Sequence, residues 1–68
     1  MKPAYLYRRE RTNRQRREAL VKLMKRYRLT TQFVGDYLDV HRVTVSKWRT
    51  GTHPMPEALM RYLELYQR

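Results

Sequence analysis

"LTTQFVGDYLDVHRVTVSKWRTG" spans Leu29 to Gly51 and changes character at its middle. As far as Val40 it carries Asp36 and Asp39 and no basic residue. From His41 to Arg49 it carries Arg42, Lys47 and Arg49 and no acid. Phe33, Val34, Tyr37 and Leu38 are apolar at helical spacing, and Thr30 ahead of them suits an N-cap. Asp39 ends that helix, because Asp tolerates a left-handed backbone better than most residues. Val40 is apolar in the turn, and His41 offers the next helix only a weak cap. Val45 and Trp48 fall at i, i+3 in the second half, and Gly51 is a good C-terminal stop. Gly35 costs about 1 kcal/mol relative to alanine inside a helix, so its place there calls for a packing reason. The next helix crossing closely above it supplies one.

Two helices joined by a turn of three to four residues make a helix-turn-helix. Val34 and Leu38 face the core, Val40 plugs the turn, and Val45 and Trp48 anchor the later helix from beneath. That leaves Arg42, Val43, Ser46 and Lys47 on its outer side. A helix fits the DNA major groove with its N-terminal residues against base edges, so the basic half reads as the part that lies on DNA.

Outward from this unit the pattern stays helical. Leu20, Leu23, Met24 and Tyr27 share one face of a helix that begins near Thr12 or Asn13 and ends near Arg28. Glu18 adds negative charge in an early turn, and Arg14, Arg16, Arg17, Lys22, Lys25 and Arg26 take the remaining surface. After the loop "THPMP", Pro56 fits the first turn of a last helix running to about Gln67, with Leu59, Tyr62, Leu63 and Tyr66 as its stripe. Strand signals and internal repeats are absent. Residues 1–11, "MKPAYLYRRER", have no sustained period and read as a basic arm. The expected fold is all-α: a compact bundle of four helices, with a fifth as the variant, over residues 12–68.

Composition bounds the function. A chain of 68 residues is one domain at most, and such a domain buries only about 60% of its unfolded surface. Without cysteine there are no disulfides or thiolate metal sites. No apolar run approaches the roughly 18 residues of a membrane span, and no signal-peptide pattern follows the basic N-terminus. Net charge is +10, with Lys plus Arg at 16 against 6 acids, and 12 of those 16 are Arg. Arginine's rigid donor fork matches phosphate, so the excess points to a polyanion, nucleic acid ahead of an anionic membrane surface. The carboxylates Glu10, Glu18, Asp36, Asp39, Glu57 and Glu64 are scattered in sequence, with no acid–base pair, nucleophile arrangement or phosphate-cradling glycine loop. An enzyme is not expected, nor a cofactor. His41 and His53 lack partners for a zinc site.

Leu29 to Gly51 resembles the helix-turn-helix of lambda-repressor-like, Cro/CI-type (XRE-like) regulators. That family runs roughly "LTQ-small-x-x-LGVS-x-x-T-I-S-x-W-E-x-G", and here "LT", "V-G-x-x-L", "V", "R-x-T-V-S-K-W" and "G" fall at matching steps. The match covers about a third of the chain. The departures are Asp39 at the family's turn glycine, His41 at its capping Ser, Thr31 at its Gln and Arg49 at its Glu. Phe33 and Tyr37 stand where the family is usually polar, either under the arm with Tyr5 or Tyr7 or against a partner. The family often adds a fifth helix.

The resemblance implies roles. Arg42, Val43, Ser46 and Lys47 would face the major groove, with Arg42 or Lys47 on guanine O6/N7 and Val43 on a thymine methyl. Thr30, Thr31 and Gln32 would clamp a phosphate at a helix N-terminus or simply cap it. Thr44 would bond a phosphate or support the turn. Arg49, Thr50, Thr52 and His53 would contact phosphate after the third helix. Ala58, Tyr62, Leu65 and Met55 leave apolar surface that would pair two copies through the C-terminal helix, setting two recognition helices about 34 Å apart on an inverted repeat. The expected function is a dimeric repressor of a phage or mobile-element promoter, acting in the cytoplasm, with anti-CRISPR-associated autorepressors as a group of similar scale. RNA binding through Arg8 to Arg17 is one alternative. An antitoxin-like interaction module using Phe33, Tyr37 or the last helix is another.

Overall fold

The computed structural model describes residues 11–67, so apart from Arg11 the basic arm, with Tyr5 and Tyr7, lies outside the described residues. Helix α1 (Asn13–Tyr27) starts at Thr12 through a reciprocal cap. The Gln15 amide donates to Thr12 Oγ1 at 3.1 Å, and the Thr12 amide donates to Gln15 Oε1 at 2.9 Å. Helix α2 (Thr31–Leu38) is capped by Thr30 Oγ1, which accepts from the Phe33 amide at 3.0 Å. Helix α3 (Arg42–Thr50) follows after Asp39, Val40 and His41. His41 caps it with a side-chain bond: Nδ1 accepts from the Val43 amide at 3.1 Å. Helix α4 (Glu57–Glu64) starts at Pro56 and passes into a single 3₁₀ turn, Leu65–Gln67. All described secondary structure is helical.

The ends of α1 and α2 close alike. Arg28 and Asp39 turn left-handed, at φ 55° and 58°. The amide after each then reaches back five residues, Leu29 to Met24 and Val40 to Gly35, both at 2.8 Å. Asp39 therefore ends α2 in the left-handed conformation expected of it. Gly51 ends α3 at φ 84°.

Every helix contributes to one core. Leu20, Leu23 and Met24 come from α1, Val34 and Leu38 from α2, Val45 and Trp48 from α3, and Met60 and Leu63 from α4. Met55 joins from the loop. The largest of these side chains stabilise the fold by roughly 1.5–3 kcal/mol each on burial. α2 packs on α3 and α4, and α1 packs on α3 and α4.

Several sequence expectations need correction. Met55 is buried rather than spare, and Met60 is fully buried where Tyr66 was expected to serve the core, whereas Tyr62 is exposed as expected. Arg16, expected on the surface, is buried. Its guanidinium donates to the Arg11 carbonyl and to Asn13 Oδ1, and lies 3.4 Å from Glu57. Glu18 lies in the second turn of α1, an early turn as expected, and pairs with Arg14 at 3.2 Å.

The carboxylates are not all scattered in space. Glu57 and Glu64 converge on Arg11, at 2.6 and 2.8 Å from Nη2, and Arg61 reaches Glu57 at 3.1 Å. Arg11, read as part of the arm, is thus pinned to α4. This fixes where the chain enters the bundle. The Arg11 hydrogen bond, helped by nearby positive charge and opposed by burial, holds the Glu57 carboxyl down at about 2. Donating hydrogen bonds to Glu57 and Glu64 pushes the Arg11 guanidinium further up.

Phe33 and Tyr37 find their partners in the last helical segment. Phe33 and Tyr66 meet edge-on at 5.3 Å, Tyr37 and Tyr62 lie at 5.3 Å, and Tyr27 meets Tyr66 at 5.7 Å. Stacked and edge-on rings at these spacings attract beyond their buried area. The cluster ties α2 to the end of the chain, yet leaves Phe33, Tyr62, Leu65 and Tyr66 partly open to solvent.

Candidate nucleic-acid interface

Helix α3 has two opposed faces. At about 100° per residue, Arg42, Ser46, Val43 and Lys47 fan over roughly 140° of its circumference, and Val45 and Trp48 lie on the far side. Burial follows that geometry: Val45 is 0% and Trp48 4% exposed, whereas Val43 is 48% exposed. Arg42, Ser46 and Lys47 are also exposed. An exposed valine between two cations is a poor surface choice for solubility alone, and it offers a methyl contact beside two donors.

The flanking residues fall into three groups. Thr30 is exposed and spends its side chain on the α2 cap, while Thr31 beside it is half-buried. Gln32 is exposed and donates to Asp36 Oδ1 at 2.9 Å, so it is held along the helix. Thr44 is half-buried at the edge of the α3 face.

After α3, Arg49, Thr50, Thr52 and His53 are all exposed. The Thr50 hydroxyl donates to the Lys47 carbonyl at 3.2 Å and lies 2.9 Å from that of Thr52. The His53 amide donates to the same Lys47 carbonyl at 3.3 Å. The loop therefore folds back over the end of α3. Ser46, Lys47, Thr50, Thr52 and His53 are brought together, while Thr30, Thr31 and Gln32 form a separate group at the start of α2.

One element was missed in the sequence. Arg17 of α1 donates through Nε to the Arg49 carbonyl at 2.9 Å, linking α1 to the end of α3. Its side chain runs alongside Gly51, where an added Cβ would lie 3.5 Å from the Arg17 Cδ. Arg14, one turn earlier, lines the same hollow together with His53. The sequence holds a faint signal for this in the i, i+3 spacing of Arg14 and Arg17, but no local rule connects them to a loop more than 30 residues on.

Among the described residues, no group of His, Asp and Glu could hold a metal ion, and no helix is long and apolar enough to cross a membrane. No protein-family model, curated protein or solved structure matches the chain, so its functional reading rests on the residues themselves.

Proposed function

We propose that this chain is a sequence-specific, duplex-DNA-binding regulator built around a lambda-repressor-like helix-turn-helix, α2 and α3, with α3 as the recognition helix. The observation that carries this reading is the outer face of α3. Arg42, Val43, Ser46 and Lys47 stand exposed together with no carboxylate on that helix, directly opposite its buried anchors Val45 and Trp48. Arg42 and Lys47 supply donors for guanine, and Val43 an apolar contact for a thymine methyl. Arg49, Thr50, Thr52 and His53 set the register against phosphates, as does the N-terminal end of α2 at Thr30, Thr31 and Gln32.

Two copies would meet on the aromatic ridge of Phe33, Tyr62, Leu65 and Tyr66, which is uncharged on a chain of net charge +10. This widens the expected C-terminal-helix contact to include α2. A dimer of this kind would repress a phage or mobile-element promoter, its own included, by occupying it in the cytoplasm.

Titration of the labelled chain with a short duplex is expected to move the amide signals of Arg42, Val43, Ser46 and Lys47 most. Shifts concentrated elsewhere, with that helix silent, would remove the basis of the reading. A pair of substitutions then separates roles. Arg42→Ala is expected to cost about 1–3 kcal/mol on the preferred duplex and to relax preference at one base position. Arg49→Ala should weaken all sequences alike and lower the salt slope by about 1. Competition binding against preferred and scrambled duplexes reads both; equal losses on the two duplexes for both variants would contradict the assignment.

A further inference from the structure

We propose that the hollow between the start of α1 and the loop after α3 is a phosphate site, and that the phosphate it takes is a backbone phosphodiester of the bound duplex. The second half of this statement rests on the duplex-DNA reading above; the first does not. The hollow has a volume of about 200 Å³. Its floor is the buried pair Trp48 and Met55, and its rim carries Asn13, Arg14, Arg17 and His53. The rim is basic, and among the described residues the carboxylate tied to it is Glu18, which accepts from Arg14 Nε at 3.2 Å.

Three features make this more than a patch of surface charge. Arg17 is held in place: its Nε donates to the Arg49 carbonyl at 2.9 Å, so the guanidinium is oriented before any ligand arrives. The Arg17 stem lies against Gly51, where a Cβ would meet its Cδ, Nε and Nη1 at 3.5–3.8 Å, ordinary contact distance, so the side chain runs along the end of α3. The first turn of α1, whose N-terminal amides favour an anion, opens on the same hollow through Asn13 and Arg14. Oriented guanidinium groups beside a helix start are suited to a tetrahedral oxyanion, which they can grip with paired donors.

Position argues for a duplex phosphate over a free one. His53 belongs both to the hollow and to the loop that folds back onto the Lys47 carbonyl, and the paired hydroxyls of Thr50 and Thr52 lie on that loop. The hollow therefore continues the phosphate-facing edge of α3 onto α1. The backbone clamp would thus be formed by two elements distant in sequence, which positions α3 more firmly than the loop alone.

The test uses the full chain, the double variant Arg14→Gln/Arg17→Gln, and Lys25→Gln/Arg26→Gln as an equal change of charge on the last turn of α1. Inorganic phosphate is titrated at constant ionic strength while amide signals are followed. Saturating shifts at Asn13, Arg14, Gly51 and His53, lost in the Arg14→Gln/Arg17→Gln variant and kept in Lys25→Gln/Arg26→Gln, are expected. Duplex affinity is then measured from 50 to 200 mM salt. Loss of one phosphate contact should lower the salt slope by about 0.9, so the affinity gap to the full chain narrows about 3-fold across that range. Arg14→Gln alone, at a side chain 85% exposed, repeats both readings without touching the Arg17 bond to Arg49.

Absence of saturable phosphate shifts, together with an Arg14→Gln/Arg17→Gln slope equal to that of Lys25→Gln/Arg26→Gln, overturns the proposal. Saturable shifts with an unchanged slope overturn the duplex assignment and leave a free-anion site. Saturable shifts in a chain that binds no duplex sink the DNA reading while supporting the hollow.

Discussion

Gly35→Ala is expected to lower the melting temperature by about 10 °C or more, and Gly35→Val to leave no folded population at 37 °C. The reason is space, not backbone freedom, because Gly35 has ordinary helical geometry and only Gly51 among the glycines has positive φ. A Cβ at position 35 would lie 2.6 Å from the Val40 carbonyl oxygen and 3.2 Å from the Arg42 nitrogen. Both are backbone atoms of the joint between α2 and α3, so no flexible side chain can yield. The joint is also held by the bond from the Val40 amide to the Gly35 carbonyl at 2.8 Å, and Val40 is packed against the core.

Alanine gains about 1 kcal/mol in helix propensity, while overpacking costs about 1–3 kcal/mol and at times more. With contact at backbone the loss should win by about 2 kcal/mol, and each kcal/mol is worth about 4–8 °C in a domain of this size. Valine adds two methyl groups to the same gap, against a total stability of roughly 3–10 kcal/mol for such a chain. Circular dichroism melts decide the matter. A melting temperature for Gly35→Ala equal to or above that of the parent would show that the joint has slack. The clash also bears on function, because any shift at Arg42 moves the start of the recognition face.

Glu57→Gln is expected to cost roughly 3 kcal/mol at pH 7 and to flatten the acid limb of the stability curve. Glu57 is held at about 2, against an ordinary value near 4.5, first by the Arg11 hydrogen bond. A difference of that size corresponds to roughly 3 kcal/mol of linkage. Little of it should be lost to solvent screening, because the side chains of Glu57 and Arg11 are only 11% and 26% exposed. Because the folded value is depressed, the stabilisation is complete above about pH 5 and disappears as pH falls from 4.5 toward 2. Removing the carboxylate also leaves Arg11 and Arg16 short of a counter-charge near the core, which is costly in its own right. Urea midpoints at pH 7, 5 and 3 should show a steep acid loss in the parent and a shallow one in the variant. Parallel curves would mean that the Arg11–Glu57–Glu64 network carries little of the fold's stability.

These two sites mark the boundary of what the sequence discloses. The helices were legible because their signals are local: Thr12 and Thr30 as caps, Gly51 as a stop, Val34, Leu38, Val45 and Trp48 at helical spacing. Gly35 was legible as a crowded position, though the crowding comes from the turn backbone at Val40 and the first residue of α3. The contacts that join α1 to the rest were not. Arg11 meets Glu57 46 residues away, and Arg17 meets Arg49 32 residues away. Charge in sequence carries no record of such pairings. Arg16 is buried although its residue type predicts surface, and its partners Asn13 and Glu57 explain how the cost is met. Met55 and Met60 take core positions ahead of Tyr66 because unbranched thioethers fill irregular gaps that a phenol cannot enter. Tyr62 and Tyr66 turn outward to meet Phe33 and Tyr37. For the candidate interface, the exposed quartet of α3 followed from helical phase alone, whereas the contribution of α1 needed the fold.

The central claim, that α3 reads duplex sequence, is tested most directly by selecting ligands from a random duplex library with the purified chain at near-physiological salt. The account predicts enrichment of an inverted repeat whose half-sites lie one helical turn apart, with guanine at a fixed step that Arg42→Ala no longer selects. Retention of nucleic acid without any enriched duplex sequence would contradict it.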